Sequence, residues 1–263
     1  MPVLVTQAQT SVGRAVARRL RSDGSQVRAF VDYRDAEAAE ALRAIGCVVA
    51  RGALDDEGHL ETALEQVHTV VHLGGDPMTP PETVVDDAAT VVSAALGAGC
   101  RRVIWPSFVG AHAPKRNAYL EACVEVEGLL ADAPLESIVV RRALTYGPRD
   151  PLTQALASGA APVEAAEATH SPLYVDDLAM VLVEADRVRG SVGEIAVTVT
   201  LTGPTELLLG AFADLLTAPE RPAGPAPVLG PIVADLLGQD LVCDGGIVGP
   251  TDIPEGLQRL AAE

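Results

Sequence analysis

The chain has 263 residues and a mass of 27.2 kDa; 48% of its residues are hydrophobic but only 3% aromatic, so its core is built from Ala, Val and Leu. A formal net charge of −17 argues against partners that carry phosphate backbones or anionic lipid surfaces, and no apolar run is long enough to span a bilayer. Cys47, Cys100, Cys123 and Cys243 are widely spaced with no CxxC pair, which fits reduced thiols better than a disulfide framework, and the first residues lack the charge pattern of a signal peptide. The expectation is therefore a cytoplasmic protein without nucleic-acid or membrane partners.

Val3–Val5 is the short apolar run of a buried parallel strand. Val12, Val16 and Leu20 then recur at helical spacing, with Thr10 or Ser11 available as N-cap. A strand, a tight turn and a helix opening toward the strand's carboxyl end begin a nucleotide-binding βαβ unit. The pattern continues with strands at Gln26–Val31, Cys47–Arg51, Thr69–Leu73, Arg102–Pro106 and Ser137–Arg141. Helices are expected at Ala36–Ile45, Glu57–Gln66, Val84–Ala98 and Ala118–Ala131. Alternation of this kind predicts an α/β fold, a Rossmann-type doubly wound parallel sheet with right-handed crossovers. The expected division is a dinucleotide-binding-type portion over 1–144 and a smaller substrate-side lobe over 145–263. Thr217–Pro231, rich in Pro, Ala and Gly, reads as a surface connection.

Val5-Thr-Gln7-Ala-Gln9-Thr10-Ser-Val-Gly13-Arg14 resembles the V-T-G-A-T-G-x-x-G-R opening of the short-chain dehydrogenase/reductase superfamily, in its extended and atypical branches (epimerase/dehydratase-like and NmrA-like). Arg102–Phe108 resembles that superfamily's fifth strand with its serine, and Tyr119–Glu127 its active-site helix. Arg141–Pro148 matches R-P-x-x-x-Y-G-P with Arg142 in place of the proline, and Tyr174–Ala179 matches V-x-D-D-x-A. Each motif is weak alone; together, in the right order, they are strong. The resemblance implies cofactor contacts at Gln7, Thr10, Gly13, Asp32 and Gly74, and catalytic roles for Ser107 and Tyr119.

Those positions depart from the superfamily's pattern in a concerted way. Gln7 and Thr10 replace the glycine of the tight turn and the glycine that admits the pyrophosphate, whereas Gly13, which lets helix and strand pack, survives. Gly52-Ala53 stands where Gly-Asp is usual, and Cys123 where a lysine four residues after Tyr119 would lower the phenol's pKa. The chain's only lysine, Lys115, precedes the helix. Asp32 suits the ribose hydroxyls of NAD and its neighbour Arg34 the 2′-phosphate of NADP, so that preference stays open.

The function expected from these residues is binding of, or chemistry on, a largely apolar small molecule without NAD(P) hydride transfer, either as a cofactor-free isomerase, lyase or cyclase or as a metabolite-binding pseudoenzyme. The alternatives are an NAD(P)-dependent oxidoreductase or epimerase/dehydratase with a divergent fingerprint, and a non-catalytic regulator. Tyr146, His170 and Tyr174 are candidate substrate-lining residues, and no cluster has metal-ligand spacing. The helix over Val84–Ala98 is apolar or small nearly all round after Asp86 and Asp87, which are expected in its first turn. Ala88, Ala95 and Ala98 are expected at a two-fold contact, making the protein a homodimer.

Overall fold

A computed structural model describes residues 2–188, 196–217, 227–243 and 245–262. The first half alternates strictly: β1 (Val3–Val5), α1 (Ser11–Ser22), β2 (Val27–Val31), α2 (Ala36–Ala44), β3 (Val48–Arg51), α3 (Glu57–Leu64), β4 (Thr69–Val71), α4 (Pro81–Gly97), β5 (Arg102–Phe108), α5 (Ala118–Asp132) and β6 (Glu136–Arg142). The second half runs β7 (Thr145–Tyr146), α6 (Pro151–Ala157), β8 (Thr169–His170), β9 (Leu173–Tyr174), α7 (Val175–Arg187), β10 (Ala196–Thr202), β11 (Leu207–Leu208), α8 (Leu209–Leu216), α9 (Pro231–Leu237), β12 (Ile247–Val248) and α10 (Ile253–Ala262). Most of the Thr217–Pro231 stretch lies outside the described residues.

Eight strands form one parallel sheet in the order β12-β10-β6-β5-β4-β1-β2-β3. The reversal of strand order falls at β1 and β4, where Val3 is in register with both Val27 and Thr69. A crevice outside the carboxyl ends of the strands at such a switch point is where this architecture binds ligands. The central strands are apolar without alternation because helices cover both faces; every residue of β1, β4 and β5 is buried. The sequence pattern covers six strands. β10 and β12 extend the same sheet from the second half of the chain, with Thr198 paired to Val139 and Leu201 to Ile247.

Two expectations for α4 change. Pro81 is its first residue, so Asp86 and Asp87 lie in the second turn, away from the helix terminus. Ala88 and Ala95, expected at a two-fold contact, are 1% and 0% exposed within the chain. The helix packs between α3 and α5, while Ala89, Ser93 and Leu96 on its outer face stay exposed. Among the described residues, no helix is long and apolar enough to cross a membrane.

Candidate functional site

The β1–α1 turn keeps the shape that glycines usually provide. Gln7 has φ = 49°, the left-handed region normally left to glycine, and its side chain is tied by a 2.6 Å bond from Gln9 Nε2 to Gln7 Oε1. Thr10 caps α1: its Oγ1 accepts from Gly13 N (3.1 Å) and donates to Gln7 O (2.8 Å). Both side chains expected to obstruct a phosphate are thus engaged within the turn itself. A Cβ on Gly13 would lie 2.5 Å from Gln7 O and 2.6 Å from Ala8 Cα, so only glycine lets the helix approach the turn.

Beside the turn, at the carboxyl ends of β1, β2 and β3, opens a cavity of about 360 Å³ lined by Gln7, Phe30, Asp32, Gly52, Ala53, Thr83 and the acids Asp55, Asp86 and Asp87. Asp32 forms a two-pronged pair with Arg34, 2.9 Å from Nε to Oδ1 and 2.6 Å from Nη2 to Oδ2, and these bonds hold its carboxyl below the usual range. Burial, then Asp55 and Asp86, push Asp87 up to about 6. Gly74 lies at the far side of the turn. Its carbonyl accepts from Trp105 Nε1 (2.8 Å), and a Cβ there would meet the His72 ring at 2.4 Å. His72 is itself a buried core histidine, with Nδ1 2.9 Å from Thr6 Oγ1.

The two catalytic candidates both lie near Cys123 and are both buried, Ser107 at 0% and Tyr119 at 1% exposed. The Tyr119 hydroxyl donates to Gly75 O (2.8 Å), and its ring meets Phe108 edge-on. Burial first, then the Cys123 thiol, push the phenol well above its ordinary value, while Arg142 pulls in the opposite direction. The same burial raises Cys123 to about 12, so the thiol is neutral. Lys115 is exposed and precedes the helix. Ser107 Oγ donates to Glu127 Oε1 (2.5 Å), and His112 and Arg141 close on the same carboxylate. Burial alone would raise Glu127, but Arg141, Ser107 and His112 outweigh it and hold the carboxyl below its usual value. Glu127 thus belongs to a largely buried network, its side chain 9% exposed.

Arg142 is the residue that the sequence reading passed over. Strand register sets it opposite Phe108, and its Cζ stands 5.0 Å from that ring's centroid, with Nη1 3.3 Å from Thr145 Oγ1. Its charge reaches Tyr119, Cys123 and Asp150. Burial, then Asp76, push the Asp150 carboxyl up. The available signal was the departure of Arg142 from the R-P motif, a charge where a strand-end proline is usual.

The three substrate-lining candidates lie elsewhere. Tyr146 and Tyr174 are 1% exposed and pack edge-on against each other, with Tyr146 also against Phe212. His170 is fully buried, with Nε2 2.9 Å from Leu237 O. These residues form the interior of the second half rather than a cleft wall.

The NmrA-like family profile matches residues 2–130. A 3-diazoavenalumate denitrifying reductase from a Streptomyces species is 31% identical, with the alignment covering 87% of each chain. The Citrobacter triphenylmethane reductase complexed with NADP(H) superposes with a TM-score of 0.77 at 17% identity, covering 99% of this chain and 100% of that one. UDP-glucose 4-epimerase from Thermotoga maritima, solved with UDP-glucose, gives a TM-score of 0.74 at 18% identity over 100% and 98% of the two chains. Structures of this fold solved with NADP(H) or NAD+ overturn the expectation that no cofactor is used. The physical reason lies in the turn, where Gln7 adopts the glycine conformation and Thr10 folds into the helix cap.

Proposed function

The chain belongs to the NmrA-like family, and on that premise we propose that it is an NAD(P)H-dependent reductase of a small, largely apolar electrophile. The observation that carries this reading is the cavity between Gln7, Asp32, Gly52 and α4, at the switch point of the sheet beside a turn of dinucleotide-binding shape. Its donor set fits an adenosine: Asp32 would accept from the ribose hydroxyls, and Phe30 and Ala53 would flank the base. The first N–H groups of α1 would meet the pyrophosphate, where Ser11 Oγ is buried without a hydrogen-bond partner. A bound nicotinamide supplies the hydride.

The chain's own residues restrict which acceptors suit it. With Tyr119 buried, strongly protonated, its hydroxyl donated to Gly75 O and no lysine beside it, the phenol is not placed to act as a proton shuttle. Such a site favours an electrophile that needs no proton from the enzyme, for example a diazo-bearing arene or a triarylmethyl cation. Epimerisation and dehydration at a sugar carbon ask more of the tyrosine, so reduction is the better fit. The relative that aligns over most of both chains is a reductase named for a diazo compound, which supports the same class.

The test is a calorimetric titration with NADH and NADPH, followed by NADH oxidation with an arenediazonium salt and with crystal violet as probes. Micromolar binding and probe-dependent oxidation are expected. Dissociation constants above about 1 mM for both nucleotides would sink the proposal.

A further inference from the structure

A second cavity, of about 240 Å³, lies on the outer side of α1 and α2 beneath the Pro148–Arg149 turn. Its rim carries Ser11, Arg14, Arg18 and Arg149, its floor is Ala41, Leu42, Ile45 and Pro148, and among the described lining residues none is acidic. This is unusual in a chain of net charge −17. The adenosine cavity has four acids in its lining, and the groove between α1, α7 and α10 sets Asp176, Asp177 and Glu255 among its arginines.

We propose that the α1–α2 cavity is a binding site for a small carboxylate with an apolar body, adjoining the dinucleotide site at Ser11 but occupied independently of it. Arginine forks match a carboxylate in two-pronged geometry, and Leu42 and Ile45 offer apolar surface behind them, with Ile45 37% exposed. Arg14 uses Nε for Gln9 O (3.0 Å), which leaves its Nη pair for a ligand. Arg149 holds φ = 60°, a conformation costly for a side-chain-bearing residue, and in it reaches Glu37 Oε1 at 3.2 Å. Both members of that pair are more than half exposed, so the bond is weak and exchangeable for a ligand carboxylate.

Benzoate is the probe, with inorganic phosphate as the second arm, each titrated calorimetrically into the full-length protein with and without saturating NADH. Benzoate is expected to bind with a dissociation constant of about 1 mM and phosphate at least about five-fold more weakly. Glu37→Gln, which removes the competitor for Arg149, is expected to tighten benzoate by about three-fold. Arg149→Gly is expected to weaken it by about five-fold or more; glycine accepts φ = 60°, so the fold is kept. The proposal is overturned if benzoate fails to bind at about 20 mM, if NADH displaces it, or if Arg149→Gly binds like the wild type. Phosphate binding as tightly as benzoate would also overturn it, because the apolar floor would then contribute nothing. These outcomes are independent of whether the protein reduces any substrate.

Discussion

The Tyr119 hydroxyl donates to Gly75 O across 2.8 Å, and the bond fastens the tyrosine beneath the loop that follows β4. Tyr119→Phe leaves that carbonyl buried and unpaired, so we expect a stability loss of about 1–2 kcal/mol in urea unfolding. In the reductase reading, the wild-type rate should show no alkaline limb below pH 10, since the phenol stays protonated there. An unchanged urea midpoint in the variant would show that the bond contributes nothing.

Gln7 occupies the left-handed region at a cost of about 1–2 kcal/mol relative to a residue without a Cβ. Gln7→Gly should therefore raise stability by up to about 1 kcal/mol, the gain being partly offset by glycine's greater freedom in the unfolded chain. Because the turn already has its shape, NADH affinity should change by less than about three-fold. Tightening by ten-fold or more would mean that the glutamine side chain obstructs the site.

Arg34 is neutralised by its two-pronged pair with Asp32. With four acids around the adenosine cavity, NADH should bind more tightly than NADPH. Asp32→Ser removes one acid and releases Arg34 for a 2′-phosphate, so the preference should move toward NADPH by about ten-fold, read by titration with both nucleotides. An unmoved ratio would place the ribose elsewhere.

Burial lowers the His72 pKa from 6.5 to about 3, so the folded state holds the ring neutral while the unfolded chain protonates it. Its contribution to stability is complete above pH 6.5. It is lost as pH falls toward 3, with a limiting slope of about 1.4 kcal/mol per pH unit. Asp87 and Asp150 act in the opposite sense, because burial raises their pKa values and their protonation on acidification favours the fold. The His72 share is therefore read as the difference between wild type and His72→Gln in urea midpoints from pH 7 to pH 4. A difference that does not change with pH would rule out a depressed histidine.

The frame was legible because its signals are local. Buried parallel strands are continuous apolar runs, so β1, β4 and β5 stand out from composition alone, and the predicted ends of α2, α5 and β6 fall within one residue of the observed ones. Gly13 was readable as a packing glycine for the same reason: the space it needs is set by a turn five or six residues away. The cofactor was misread because the identities of residues 7 and 10 do not reveal their backbone angles or hydrogen-bond partners. A glutamine can take a glycine's conformation when the surrounding turn enforces it.

What the sequence by itself determined is therefore the order of strands and helices along the chain, the doubly wound parallel sheet, and the family. Tertiary structure alone decided that Arg142 stands over Phe108 beside Tyr119, that Glu127 gathers Ser107, His112 and Arg141, and that Tyr146, Tyr174 and His170 lie in the interior. It also decided that β10 and β12 complete the sheet. Each of these contacts joins residues that are far apart along the chain or on different elements, and each depends on strand register and on which face a side chain takes. A shift of one residue reverses that face while leaving the local apolar pattern unchanged, so local pattern cannot encode it.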